Sequence, residues 1–131
     1  MIIDTKFLDS LCTQAKNNPR LRLNYDLRNS EQDQSQRMLN ALHPGTKLPI
    51  HRHPFTSETM IVIRGSVMQK FYDEEGNLIN SDVLEAGSSH VMVHIPAGMW
   101  HNLDCLEEGT VIFEAKDGAY QPLKEEDIKT I

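Results

Sequence analysis

The chain has 131 residues, 39% of them hydrophobic and 24% charged, with a net charge of -6. That length suits one domain with a real buried core, and the composition is that of an ordinary globular protein. The acidic balance excludes a non-specific nucleic-acid binder, which needs clustered Lys and Arg to neutralise phosphates, and no apolar run approaches the roughly eighteen residues of a membrane span.

The start, Met-Ile-Ile-Asp-Thr-Lys, has neither the basic nor the apolar region of a secretory signal. A helix is predicted from Asp4 to Asn17, because Phe7, Leu8, Leu11, Cys12 and Ala15 recur at helical spacing. Asp4 suits the N-cap, and Asn17-Asn18-Pro19 the stop. Its role is to cover the core. Cys12 and Cys105 lie far apart and in no metal-type pair, which predicts free, packed thiols in a reducing, cytoplasmic setting. Arg20 to Arg28 alternates polar and apolar residues as a half-buried strand does. Asn29 to Gln36 reads as a polar loop, Arg37 to Leu42 as a renewed apolar segment, and His43-Pro44-Gly45 as a turn.

The next stretch carries the chemistry. Two residues apart on an extended backbone, His51 and His53 point to one face, and Pro54 disfavours a helix there. Glu58 opens Thr-Met-Ile-Val-Ile, a β-branched strand. Two imidazoles and a carboxylate from adjoining strands suit a divalent metal. If Glu58, Met60 and Val62 face inward, then Thr59, Ile61 and Ile63 face out, so something must cover the outer face: the helix, a second sheet or, preferentially, a partner subunit in a homodimer. Beyond Gly65, turns at Asp73–Asn77, Glu85–Gly87, Pro96–Gly98 and Glu107–Gly109 separate short strands, the pattern of an antiparallel barrel or sandwich. The acidic groups in these turns and in Glu125-Glu126-Asp127 read as solvated, and the tail from Gln121 as polar and partly ordered.

Pro96 and Gly98 make a corner, after which His101 opens a returning strand and offers the missing ligand. Here Gly45-x5-His51-x-His53-x4-Glu58-x6-Gly65 and Pro96-x-Gly98-x2-His101 resemble the two motifs of the cupin superfamily. The resemblance implies an all-β fold, a cupin double-stranded β-helix (jelly-roll barrel) with an N-terminal α-helix packed outside. It implies one cupin domain over 1–131: helix and leading strands in 1–42, the core with both motifs in 43–116, and a C-terminal tail in 117–131. It also implies the metal ligands His51, His53, Glu58 and His101. The interval from Gly87 to Pro96 is longer than the motif's, and Cys105 stands where an Asn is common; neither touches a ligand. Most of the chain resembles the WbuC-type cupin-fold metalloproteins. The shared features are Pro19-Arg20-Leu-Arg22, Gln36-Arg37, His51-Arg-His53-Pro, Ile95-Pro-Ala-Gly-Met-Trp-His101 and Pro122. Asp26 and Arg28 stand where that family tends to carry Asn and His, which points to a different ligand.

Other polar residues have two readings each. His94 shares a strand face with His90 and Met92. It is a candidate for ligand binding or a general base if that face lines the barrel, and a half-exposed strand residue otherwise. Arg37 can grip a phosphate or carboxylate or, like Arg20, Arg22 and Arg28, serve as an edge charge against aggregation. His43 reads as a turn residue and Trp100 as core or rim. Tyr25, Tyr72 and Tyr120 are undistinguished as acids.

Three His and one Glu suit one divalent ion, Zn, Fe, Mn or Ni, and affinity order does not choose among them. The resemblance links the chain to bacterial surface-polysaccharide (O-antigen) clusters. It implies a metal-binding cupin acting on or binding a sugar or sugar nucleotide, as a metal-dependent isomerase or epimerase does. The alternatives are a non-haem iron dioxygenase and a non-catalytic sugar-binding or assembly module with a structural metal. No nucleic-acid or membrane partner is expected.

Overall fold

The computed structural model describes residues 1–129; the last two residues of the tail lie outside the described residues. One helix, α1 (Thr5–Lys16), precedes ten strands: β1 (Arg22–Asp26), β2 (Ser35–Leu42), β3 (Ile50–His51), β4 (Glu58–Arg64), β5 (Ser66–Tyr72), β6 (Leu78–Glu85), β7 (Met92–Ile95), β8 (Trp100–Cys105), β9 (Thr110–Asp117) and β10 (Ile128–Lys129). They form two antiparallel five-stranded sheets, ordered β1-β2-β9-β4-β7 and β10-β3-β8-β5-β6. Apart from the β1–β2 and β5–β6 pairs, consecutive strands cross between the sheets, as in a jelly roll.

The space between the sheets is divided. Alternation along each strand sends Leu42, Met60, Val62, Val67, Leu84, Leu103, Cys105 and Ile112 into a common apolar core, each burial contributing roughly 1.5–3 kcal/mol for a large aliphatic side chain. Toward the other end the inner face turns polar, with Glu58 on β4 and His101 on β8 both buried. Cys105 joins the apolar part, and burial pushes its thiol up. Both cysteines are free, as expected.

Helix α1 is capped by Asp4, whose side chain accepts from the Phe7 amide at 2.9 Å, leaving one orphan donor fewer. Leu8, Leu11 and Ala15 pack on Leu39, Ala41 and Val111, which are the outward residues of β2 and β9. The helix therefore sits outside the barrel, as predicted. Its cover is partial: on β4 and β7 the outward Ile63 is 43% and Met92 50% exposed.

Two stretches differ from the sequence reading. β2 begins at Ser35 rather than after Gln36. A glutamine can enter the barrel there because its Nε2 donates to the Gly118 carbonyl at 3.0 Å, and a buried amide with a partner is tolerated. The C-terminal segment folds back as well, making a 3-10 turn at Glu125–Asp127 and pairing β10 with β3. Asp127 is buried and accepts from Arg52 Nε at 2.9 Å, so this acidic residue is an anchor and not a solvated charge.

Candidate metal centre

His51 and His101 are brought face to face by strand pairing. β3 meets β8 with His51 opposite His101, and their rings lie 4.4 Å apart. His53 follows on the loop after β3. Its carbonyl accepts from the Gly98 amide at 2.8 Å, so the Pro96–Gly98 corner holds the loop against β8. Gly98 has φ +82°, a conformation that favours glycine. One ligand nitrogen from each of the three histidines lies within 4.8 Å of the others.

The tautomers are directed by the backbone. His51 Nδ1 lies 2.9 Å from the Pro49 carbonyl and His101 Nδ1 2.8 Å from the Met99 carbonyl. A carbonyl only accepts, so both Nδ1 atoms carry the proton and both Nε2 atoms keep a lone pair. Glu58 enters from the opposite sheet. Its Oε2 is 3.4 Å from His101 Nε2 and 3.6 Å from His53 Nε2, yet it is buried without a hydrogen-bond partner. An orphaned carboxylate oxygen facing imidazole lone pairs costs energy unless a cation lies among them. The donor set fits a divalent ion.

Burial also keeps the imidazoles neutral. Desolvation, then the charge of His101, holds His51 at about 4. Desolvation, then the Lys116 charge, holds His53 at about 3; desolvation likewise lowers His101. Neutral imidazole is the form a metal takes. Between pH 6.5 and 4 the unfolded chain binds protons that the folded chain refuses, so stability is retained above 6.5 and falls as pH drops. Among the described residues His51 has no carboxylate within ion-pair distance, and its share of the loss is roughly 3 kcal/mol at 1.36 kcal/mol per unit. Urea unfolding of the chelator-treated protein should show this loss between pH 7 and 4, with a shallower slope in His51→Gln. Equal stability at both pH values would contradict it.

Sequence reasoning missed Glu114 and Lys116. They follow Ile112 on the inner face of β9, in register with Met60 and Glu58 of β4. Glu114 as a residue keeps some exposed surface, while its carboxyl end is enclosed. Burial, then the Glu58 charge, pushes that carboxyl up, so it opposes the histidine slope with one group against three. The signal available was the period of two carried on from Ile112, masked because Val111, Phe113 and Ala115 make the other face apolar too.

Two sequence candidates lie elsewhere. Alternation puts Val93 and Ile95 inside and leaves His94 exposed, its Nδ1 3.1 Å from Thr59 Oγ1 on the outer face. The face it shares with Met92 does not line the barrel. Arg37, on the face opposite Gln36, is paired with Asp33 at 2.8 Å, and Arg28 with Asp26 at 2.8 Å. Arg22 donates to Thr46 Oγ1 and the Lys47 carbonyl. Trp100 is buried, with Arg52 and Lys129 over its ring at 4.6 and 4.2 Å. Beside His53 opens a cleft of about 720 Å³ whose lining includes Gln36, Phe55, Lys116, Tyr120, Pro122 and Asp127.

The family model described as Domain of unknown function (DUF6016) matches residues 3–84. The chain belongs to the DUF6016 family. That match contains His51, His53 and Glu58 and stops short of His101. No curated protein matches the sequence. Among solved structures, this DUF6016 chain is similar to the capsular polysaccharide assembling protein CapF from Staphylococcus aureus, at 23% identity and TM-score 0.60 over 69% of this chain and 24% of that one. It is similar to oxalate oxidase in complex with glycolate, at 19% and 0.63 over 82% and 55%. Oxalate decarboxylase follows, at 25% and 0.55 over 67% and 22%. These are cupin-fold proteins, and the jelly roll with its outer helix is the same fold. The chain spans about a quarter to about half the length of these neighbours. Among the described residues no helix is long and apolar enough to cross a membrane.

Proposed function

We propose that the chain is a metal-binding cupin that acts on or binds a sugar or sugar nucleotide in surface-polysaccharide assembly, as a WbuC-type protein. His51, His53, His101 and Glu58 hold one divalent ion, Zn, Fe, Mn or Ni. The observation that carries this reading is the buried, unpartnered Glu58 Oε2 set against the Nε2 atoms of His53 and His101. Bound there, the ion supplies Lewis acidity toward a ligand oxygen.

The remaining residues position and exclude. The Pro49 and Met99 carbonyls aim two imidazoles, and the apolar core behind Met60 keeps water from the inner side. The cleft beside His53 has the volume of a small-ligand site. The sugar assignment draws support from the role of CapF as a capsular polysaccharide assembling protein. A homodimer is part of the same reading, supported by the exposed Ile63 and Met92 that α1 leaves uncovered.

Metal analysis of protein purified without chelator should find one divalent ion per chain. A thermal-shift screen against sugar nucleotides should then raise the melting temperature of the loaded form, since a ligand at 100 times its Kd adds about 2.7 kcal/mol. Protein that takes up no divalent ion would overturn the reading.

A further inference from the structure

Lys116 stands where the histidine cluster meets the cleft. On the inner face of β9 it is registered against Glu58 on one side and Gln36 on the other, and it lines the cleft together with His53. Its ammonium is near enough to disfavour protonation of all three imidazoles. Among the described residues no carboxylate is ion-paired with Lys116. Glu58 and Glu114 share its inner face without an ion pair to it, Asp117 accepts from Ser57, and Asp127 is held by Arg52.

A half-buried ammonium without a counter-ion is costly, and here it borders a cleft open to ligand. The charge balance points the same way. Among the inward-facing groups of β4 and β9, one dication and one ammonium set against Glu58 and Glu114 leave an excess of positive charge even with both carboxyls ionised. Lys116 and the histidines face each other from opposite sheets, which pack about 10 Å apart, so a group held by Lys116 and an oxygen facing the histidines belong to one small molecule. Phe55 and Tyr120, 83% and 54% exposed at the rim, offer ring faces to it.

We infer that Lys116 is the anion-recognition residue of this cleft, receiving the carboxylate or phosphoryl group of a sugar whose hydroxyl oxygens face the histidine cluster. The inference rests on the proposed metal-centre reading and adds the substrate class: an acidic or phosphorylated sugar, not a neutral one. A neutral sugar would leave the ammonium uncompensated, whereas an oxyanion accepts its hydrogen bonds and balances its charge.

Calorimetry of the zinc-loaded protein with glucuronate, glucose 1-phosphate and glucose tests it and separates the two sources of oxyanion. At least one anion should bind the parent tenfold or more tightly than glucose. Lys116→Met should abolish that preference and Lys116→Arg retain it, with equal zinc content in all three proteins. The inference is overturned if neither anion outbinds glucose, or if the preference survives in Lys116→Met. Failure of the parent to load zinc would instead remove the metal-centre reading; the same titrations on chelator-treated protein then decide the Lys116 preference by the same two criteria.

Discussion

His101→Ala should bind zinc at least about 10³-fold more weakly than the parent chain. Loss of a partner behind a ligand already costs 10- to 100-fold, and this substitution removes a ligand itself. Of the three histidines His101 is the fully buried one. Its Nδ1 is tied to the Met99 carbonyl, its strand is registered against His51, and Glu58 Oε2 faces its Nε2. Its lone pair is therefore aimed before any ion arrives, and aim that is set in the fold need not be recovered on binding. Competition against a chelating dye measures the affinity. A thermal scan gives a second readout, because zinc that raises the parent's melting temperature should leave that of His101→Ala nearly unmoved. Glu58→Gln should fall between the two, keeping the shape and an oxygen while losing the charge. Stoichiometric zinc in His101→Ala at unchanged affinity would place the ion elsewhere.

The histidine end of the barrel is legible in the sequence because its candidate ligands obey local rules. His51 and His53 share a face through the period of two, Pro54 keeps that backbone extended, and the corner at Pro96–Gly98 returns the chain so that His101 meets His51. Each of these is a short-range constraint. Glu114 and Lys116 escape the same reading because β9 is apolar on both faces for its first half. Val111 and Phe113 pack toward the helix while Ile112 packs between the sheets, so hydrophobicity alone does not tell which charges point inward.

The two readings of His94 stay open in the sequence for a related reason: Met92 and Val93 are equally apolar, and only the pairing of β7 with β4 decides which one goes in. The C-terminal anchor is the least visible. Asp127 reads as one of three solvated acids until Arg52, placed between two of the candidate ligands, takes up its carboxylate. That pairing joins positions 75 residues apart, and no local pattern encodes it. It also makes the C-terminal segment a wall of the cleft, which ties the shape of the ligand site to an element the motifs do not contain.

Gly65→Ala should destabilise the fold by about 4 kcal/mol, much of the 5–15 kcal/mol that holds a domain together. Gly65 joins β4 to β5, the point where the chain leaves one sheet for the other, and it has φ +81°. A Cβ there would lie 2.2 Å from Thr110 Oγ1 and 2.7 Å from Thr110 Cα. The first atom could rotate away, but the second is backbone at the start of β9, paired with Leu42 of β2. Thr110 is fully buried, and its hydroxyl accepts from the Ser66 amide and donates to the Glu107 carbonyl. Relief of the clash therefore breaks buried hydrogen bonds worth about 1–3 kcal/mol, on top of about 1 kcal/mol of left-handed strain and 1–3 kcal/mol of overpacking. Gly98→Ala is the matched comparison. It has nearly the same φ, +82°, but nothing within 4 Å of the added Cβ, so its cost should stay near 1 kcal/mol. Urea midpoints of the two variants separate clash from backbone strain, and equal losses would mean that the contact with Thr110 does not govern this junction. Gly98, unlike Gly65, holds the His53 carbonyl. Its substitution should therefore weaken zinc binding more than its small stability cost implies, whereas zinc affinity in Gly65→Ala should follow the folded fraction alone.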